Sequence, residues 1–257
     1  MTRTAPDSAE SYSAVLARLT SAQKPAARSA PAYSRFVNRR LGRYLAAWAY
    51  TARLTPNSVT GISALFTFAS LSLLVLFPPS LGLGVAVAGG LLIGYAFDSA
   101  DGQLARLTGT SSPAGEWLDH FVDSIKASAL PLALLVGFFR FEVVPVVWLL
   151  VPLVGAVVSA VLFFAMILTE QLRRAHSSTP LATTGAATSG MPGAGGWLRS
   201  VIVAPMDYGV LCLSFVLLGW LPAFLVAYTV IVAATTLFLA LAAVKWFREL
   251  SATERRS

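Results

Sequence analysis

Residues 98–123, DSADGQLARLTGTSSPAGEWLDHFVD, place four aspartates, Asp98, Asp101, Asp119 and Asp123, in a chain with 56% hydrophobic and only 12% charged residues. Both sides of the central Gly/Thr/Ser/Pro link have helical periodicity. On the first arm Asp98, Asp101, Gly102 and Ala105 fall at i, i+3, i+4 and i+7. On the second, Gly115, Asp119 and Asp123 fall at i, i+4 and i+8, so each arm gathers its carboxylates and small residues on one face. Folding the hairpin about Thr110 and Ser111 sets Asp98 opposite Asp123 and Asp101 opposite Asp119, and the small residues allow the two backbones to come close. At about 1.5 Å per residue, Asp98 lies about 12 Å in from Arg106, at membrane depth if the arms cross a bilayer.

Outward from this hairpin, apolar runs of roughly 20 residues recur, the length a helix needs to span the hydrocarbon core. The expected fold is an all-α integral membrane protein with six transmembrane helices, at about 56–77, 82–106, 113–138, 143–169, 201–219 and 222–246. The first 30 residues are polar, rich in Ala, Ser and Arg, and lack the apolar core of a signal peptide. Residues 1–30 are therefore expected to be a disordered tail that stays attached. Over 31–50, Tyr33, Phe36, Val37, Leu41, Tyr44, Leu45 and Trp48 recur at helical spacing with Arg35, Asn38, Arg39 and Arg43 off the stripe. This predicts an amphipathic helix lying in the membrane interface. Thr55 as cap and Pro56 in the first turn open the first span. The six-helix unit is expected over 51–248, followed by a tail at 249–257. Residues 175–197, rich in Ser, Thr, Gly and Ala, form a linker in which His176 is solvated.

The links FPPSLG, FFRFEVV and GWLPAF carry almost no positive charge. The flank around Arg35, Arg39, Arg40, Arg43 and Arg53, the 107–114 link beside Arg106, the stretch with Arg173, Arg174 and Arg199, and the tail with Lys245, Arg248, Arg255 and Arg256 are basic. The basic side is the cytoplasmic one, so both termini and the acidic hairpin tip are expected there. The net charge of +7 fits this topology and anionic lipid headgroups. No aromatic-basic module for nucleic acid is present. Cys212, the single cysteine, lies in an apolar run and is expected to pack. Few lysines among many arginines, with abundant alanine, point to a GC-rich bacterial genome and hence to the inner (plasma) membrane of a bacterium. No inverted repeat of the transporter kind is visible.

Four carboxylates so close cannot all carry charge unaided. An oxygen-only cluster, with no cysteine and no clearly placed histidine, suits hard cations such as Mg²⁺ or Mn²⁺. Two divalent ions would balance four carboxylates, and such a pair can serve an in-line displacement at phosphorus. A lone intramembrane aspartate is commonly a helix–helix hydrogen bond, but four on two facing stripes argue against that explanation. A carboxylate-lined proton or cation pathway remains open from the spacing alone.

The stretch resembles the signature of the CDP-alcohol phosphatidyltransferase family, D-x2-D-G-x2-A-R-x8-G-x3-D-x3-D, at every fixed position: Asp98, Asp101, Gly102, Ala105, Arg106, Gly115, Asp119 and Asp123. The signature covers 26 residues. Six spans, an amphipathic N-terminal helix and a Pro-Asn pair opening the first span are also similar to that family. The resemblance implies transfer of a phospho-alcohol group from a CDP-linked alcohol or CDP-diacylglycerol to a hydroxyl acceptor, with release of CMP, in the biosynthesis of phospholipids or related phosphodiesters. It further implies Asp98, Asp101 and Asp119 as main metal ligands, with Asp123 as general base that can also touch a metal. Gly102, Ala105 and Gly115 would admit the cytidine diphosphate, Arg106 would contact phosphate, and Asn57 and Thr60 would line the nucleotide pocket. His120 is similar to the choline/ethanolamine phosphotransferase branch. His120, Lys126, Arg199 and Asp207 are the candidates for binding the acceptor; for Lys126 the alternative is compensation of the acidic cluster, and for Asp207 it is helix capping. Membrane lipids and a second copy of the chain, as a homodimer, complete the expected partners.

Overall fold

Local start and stop chemistry delimits the helices. The computed structural model describes residues 10–21, 32–176 and 207–254, and these form helices and turns with no strand among them. α1 spans Tyr12–Ser21. A wider, π-helical turn at Ser34–Asn38 leads into α2, Arg39–Thr51. α3, Pro56–Leu76, begins where the Thr55 side chain accepts the amide of Ser58 and Pro56 occupies the first turn. α4, Leu81–Thr108, is capped by Ser80 and stops at Gly109, whose φ of 65° is left-handed and suited to glycine. α5, Pro113–Arg140, is capped by Ser112. A 3₁₀ turn at Val146–Leu149 precedes α6, Leu150–His176. α7, Tyr208–Ser214, runs into a 3₁₀ turn at Phe215–Gly219, and α8 spans Leu221–Glu254.

Five of these helices are long and apolar enough to cross a membrane: α3, α4, α5, α6 with its leading turn, and α8. The expected span 201–219 is represented by Tyr208–Gly219 alone, and residues 201–206 lie outside the described residues. At about 1.5 Å per residue that piece is about 18 Å long, short of a hydrocarbon core of roughly 30 Å. The described residues therefore hold five long spans rather than six.

Two further expectations change. Within 1–30, α1 is an ordered helix: Val15 and Leu19 are buried against Ala46, Ala49 and Leu104, with Leu16 packed beside them. Three apolar residues at helical spacing suffice to dock it, although the surrounding Ala, Ser and Arg make the composition look unstructured. At the other end α8 continues through the expected tail to Glu254, and Glu249 pairs with Arg173 of α6.

α2 carries its small residues Gly42, Ala46 and Ala49 on the buried face. A Cβ on Gly42 would come within 2.6 Å of Ser99 Oγ, so glycine permits this approach to α4. The large apolar residues Phe36, Leu41, Tyr44 and Trp48 are exposed. α3 links the two helices that carry the aspartates. It packs along both α4 and α5, which make few direct contacts with each other. Its buried stripe of Thr60, Ser63, Thr67 and Ser70 meets α4 where glycine leaves room: Ser63 Oγ donates to the Gly94 carbonyl at 2.7 Å. Small residues and hydroxyls are the usual means of close helix packing in lipid, where apolar area alone gives no preference. The hydrophobic interior runs through Leu71, Leu91, Leu130, Phe138, Phe215 and Phe224. Val157, Phe164, Val226 and Leu237 point outward, as suits contact with acyl chains.

Candidate active site

α4 and α5 carry their aspartates towards a common centre near the α4–α5 link. One carboxylate oxygen from each of Asp98, Asp119 and Asp123 lies within 4.8 Å of the others, and all three residues are half-buried. Like charges at this range repel unless a cation lies between them. The donor set is oxygen alone, which fits a hard divalent ion such as Mg²⁺ or Mn²⁺.

Asp101 is placed differently. It is buried, its Oδ2 accepts from Thr60 Oγ1 at 2.6 Å, and its Oδ1 lies 2.5 Å from the Gly102 amide nitrogen. The expected close approach of the hairpin arms is corrected by this arrangement. α3 packs against both arms and offers a hydroxyl, so Asp101 finds its partner there. Thr60 is itself buried and reaches the cluster through Asp101.

Lys126, at i+7 from Asp119 and i+3 from Asp123, turns inward. Its ammonium donates to Asp98 Oδ1 at 2.5 Å, to Asp123 Oδ1 at 2.9 Å and to Ser63 Oγ at 3.0 Å. It belongs to the acidic cluster, which is the compensating role of the two considered. Ser63 went unnoticed in the sequence, yet Thr60, Ser63, Thr67 and Ser70 at i, i+3, i+7 and i+10 form a polar stripe in an apolar span, and that pattern was available to find it.

The remaining signature residues frame an open face. A Cβ on Gly102 would meet only the Arg106 guanidinium, at 3.4 and 3.9 Å. Arg106 is exposed and Ala105 half-buried. A Cβ on Gly115 would lie 3.6 Å from Asn57 Oδ1, so the starts of α3 and α5 sit side by side. On the other side of the carboxylates a cavity of about 250 Å³ extends between α5, α6, α7 and α8. Asp98, Asp123 and Lys126 form its polar end, and Leu130, Val158 and Ile231 part of its apolar wall.

Two acceptor candidates stand elsewhere. Asp207 is buried, with Oδ2 accepting the amides of Tyr33 and Ser34 at 2.7 and 3.3 Å and Oδ1 that of Gly209 at 3.1 Å. It caps α7 and holds the entry to α2, which is the capping role of the two considered. His120 lies outside the cluster, 3.8 Å from Glu116 and edge-on to Phe163. Glu116 is also bonded to Arg174 at 2.7 Å. Arg199 and the 177–197 part of the linker lie outside the described residues.

The family model for CDP-alcohol phosphatidyltransferase matches residues 53–246. The chain belongs to this family. Among curated CDP-alcohol phosphatidyltransferase relatives, cholinephosphotransferase 1 of Xenopus laevis is 37% identical over 78 residues, covering 28% of this chain and 19% of that protein. An uncharacterised class-I family protein of Schizosaccharomyces pombe is 54% identical over 39 residues, covering 15% of this chain and 10% of that one. The matched stretches thus take in about a fifth and a tenth of those relatives' lengths. Among solved structures, phosphatidylinositol phosphate synthase of Mycobacterium tuberculosis with CDP-DAG bound has a similar fold. Its TM-score is 0.52 at 23% identity, over 82% of this chain and 94% of that one. The five helices long and apolar enough to cross a membrane accord with membership in this family.

Proposed function

We propose that the chain transfers a phospho-alcohol group from a CDP-linked donor to a hydroxyl acceptor and releases CMP, at a divalent-metal site facing the cytoplasm. The observation that carries this is the convergence of Asp98, Asp119 and Asp123 on a signature matched at every fixed position. Asp98 and Asp119 would mainly hold Mg²⁺ or Mn²⁺, with Asp123 at the edge of the same cluster and Asp101 adjoining. When bound, such an ion supplies positive charge for the diphosphate and for the departing CMP.

The chain's own groups do the rest. The open face at Gly102 and Ala105 admits the cytidine diphosphate close to the α4 backbone, flanked by Asn57 and Gly115, and Arg106 reaches a phosphate oxygen. Asp123 has Oδ1 engaged by Lys126, which leaves Oδ2 to take the proton of the acceptor hydroxyl. The acceptor oxygen then forms a bond to the β-phosphorus while the bond from that phosphorus to the bridging oxygen breaks. CMP departs with the bridging oxygen. One substrate is a lipid, in keeping with the apolar wall of the adjoining cavity. α2 and the turn before it lie in the interface, with Phe36, Leu41, Tyr44 and Trp48 in the lipid. A carboxylate-lined cation pathway is less favoured, because such a pathway consumes no CDP compound and has no use for an open face beside Gly102.

The test is CMP release from a panel of CDP-alcohols and acceptors. Release should stop in EDTA and return with Mg²⁺ or Mn²⁺. In sealed vesicles, a water-soluble CDP-alcohol should be consumed only when the cytoplasmic side faces out. Full activity in excess EDTA would remove the metal, and activity only from the opposite side would invert the orientation.

A further inference from the structure

The Lys126 ammonium is enclosed in a way that a surface lysine is not. Its residue is 7% exposed, and the three hydrogens of an ammonium meet three acceptors from three helices: Asp98 Oδ1 of α4, Asp123 Oδ1 of α5 and Ser63 Oγ of α3. Ser63 gives its own hydrogen to the Gly94 carbonyl, so its lone pairs remain for the lysine. The socket is therefore built from both sides. It also lies at the convergence of the carboxylates, since Asp98 and Asp123 are two of the three whose oxygens approach within 4.8 Å.

An ammonium and a divalent ion both seek such oxygens, and one position cannot hold both. We propose that Lys126 is a built-in cation of the cluster: its ammonium takes the place between Asp98 and Asp123 that a second divalent ion would need, so the protein without donor binds one divalent ion rather than two. This rests on the metal-dependent reading under "Proposed function", and it revises the simple balance of four carboxylates by two ions. Lys126 is thus a positioning residue, holding Asp98 and Asp123 at a fixed separation between helices that otherwise touch little.

The test is Mn²⁺ binding to the purified full-length chain without donor, counted by equilibrium dialysis and examined by electron paramagnetic resonance. The wild-type chain should bind one tight Mn²⁺ with an uncoupled spectrum. Lys126→Met should bind two, with the spin coupling of a close pair, and Lys126→Arg, which keeps the charge, should bind one. Two coupled ions in the wild-type chain would overturn the proposal and leave metal-dependent transfer standing. A folded Lys126→Met chain that still binds one ion would also overturn it, because a lysine that only ties helices together changes thermal stability and not ion count. Should Lys126→Met fail to fold, the wild-type count decides. No Mn²⁺ uptake in the wild-type chain would overturn the metal site itself, and the proposal with it.

Discussion

Asp98 and Asp123 share one lysine yet are assigned different tasks. In the proposed reaction Asp98 mainly holds the ion that holds the donor, whereas Asp123 mainly deprotonates the acceptor. Asp123→Asn should therefore remove most turnover, by about 10² to 10⁴ in rate, while leaving affinity for a CDP-alcohol and Mn²⁺ largely intact. Asp98→Asn should lose donor and metal binding together. Donor affinity and single-turnover rate, measured on both variants, check this. If Asp123→Asn loses donor affinity as severely as Asp98→Asn, Asp123 is primarily a metal ligand. At this scale the sequence was informative where spacing alone decides: Asp98, Asp119 and Asp123 share faces by helical periodicity, and they converge. It was silent where a partner comes from another helix. Nothing local to Asp101 says that Thr60, 41 residues earlier, will donate to it. Nothing near Asp207 says that it will hold amides 174 and 173 residues away.

Along α4, glycine serves two purposes. Gly42 of α2 and Gly94 exist for packing: a Cβ on either would come within 2.6 Å of a hydroxyl on the facing helix, Ser99 and Thr67 respectively. Gly102 faces open space, with only the mobile end of Arg106 near it. Gly102→Leu should therefore leave the fold intact while filling the groove beside the carboxylates, weakening donor affinity before it affects the rate at saturating donor. Thermal unfolding together with donor binding measures both. Unchanged donor affinity in a folded variant would place the nucleotide elsewhere. Helix limits were legible where side chain and backbone make the signal together, as at Thr55 and Pro56, and the same chemistry operates at Ser80, Ser112 and Gly109. They were not legible where tertiary contacts extend a helix, as at the α8 end paired through Glu249 with Arg173, or where they dock one, as at Val15 and Leu19 of α1.

For the whole molecule, composition alone identified the solvent: long apolar runs with so few charges belong in a bilayer. The number of spans was less accessible, because length and hydropathy do not reveal a short apolar helix such as Tyr208–Gly219 that is supported by neighbours instead of crossing alone. The architecture that results places α3 against both acidic helices, sets the open face of Gly102 to one side of the carboxylates and a largely apolar cavity to the other, and on the proposed function would give a water-soluble nucleotide and a lipid separate approaches to one centre. The most direct measurement of that claim follows the phosphorus. Given a CDP-alcohol labelled at the β-phosphorus and a lipid acceptor, the purified protein with Mg²⁺ or Mn²⁺ should move the label into the organic-soluble product while CMP appears unlabelled in equal amount. Label retained on the nucleotide, or released as inorganic phosphate with no labelled lipid, would contradict transfer at this site.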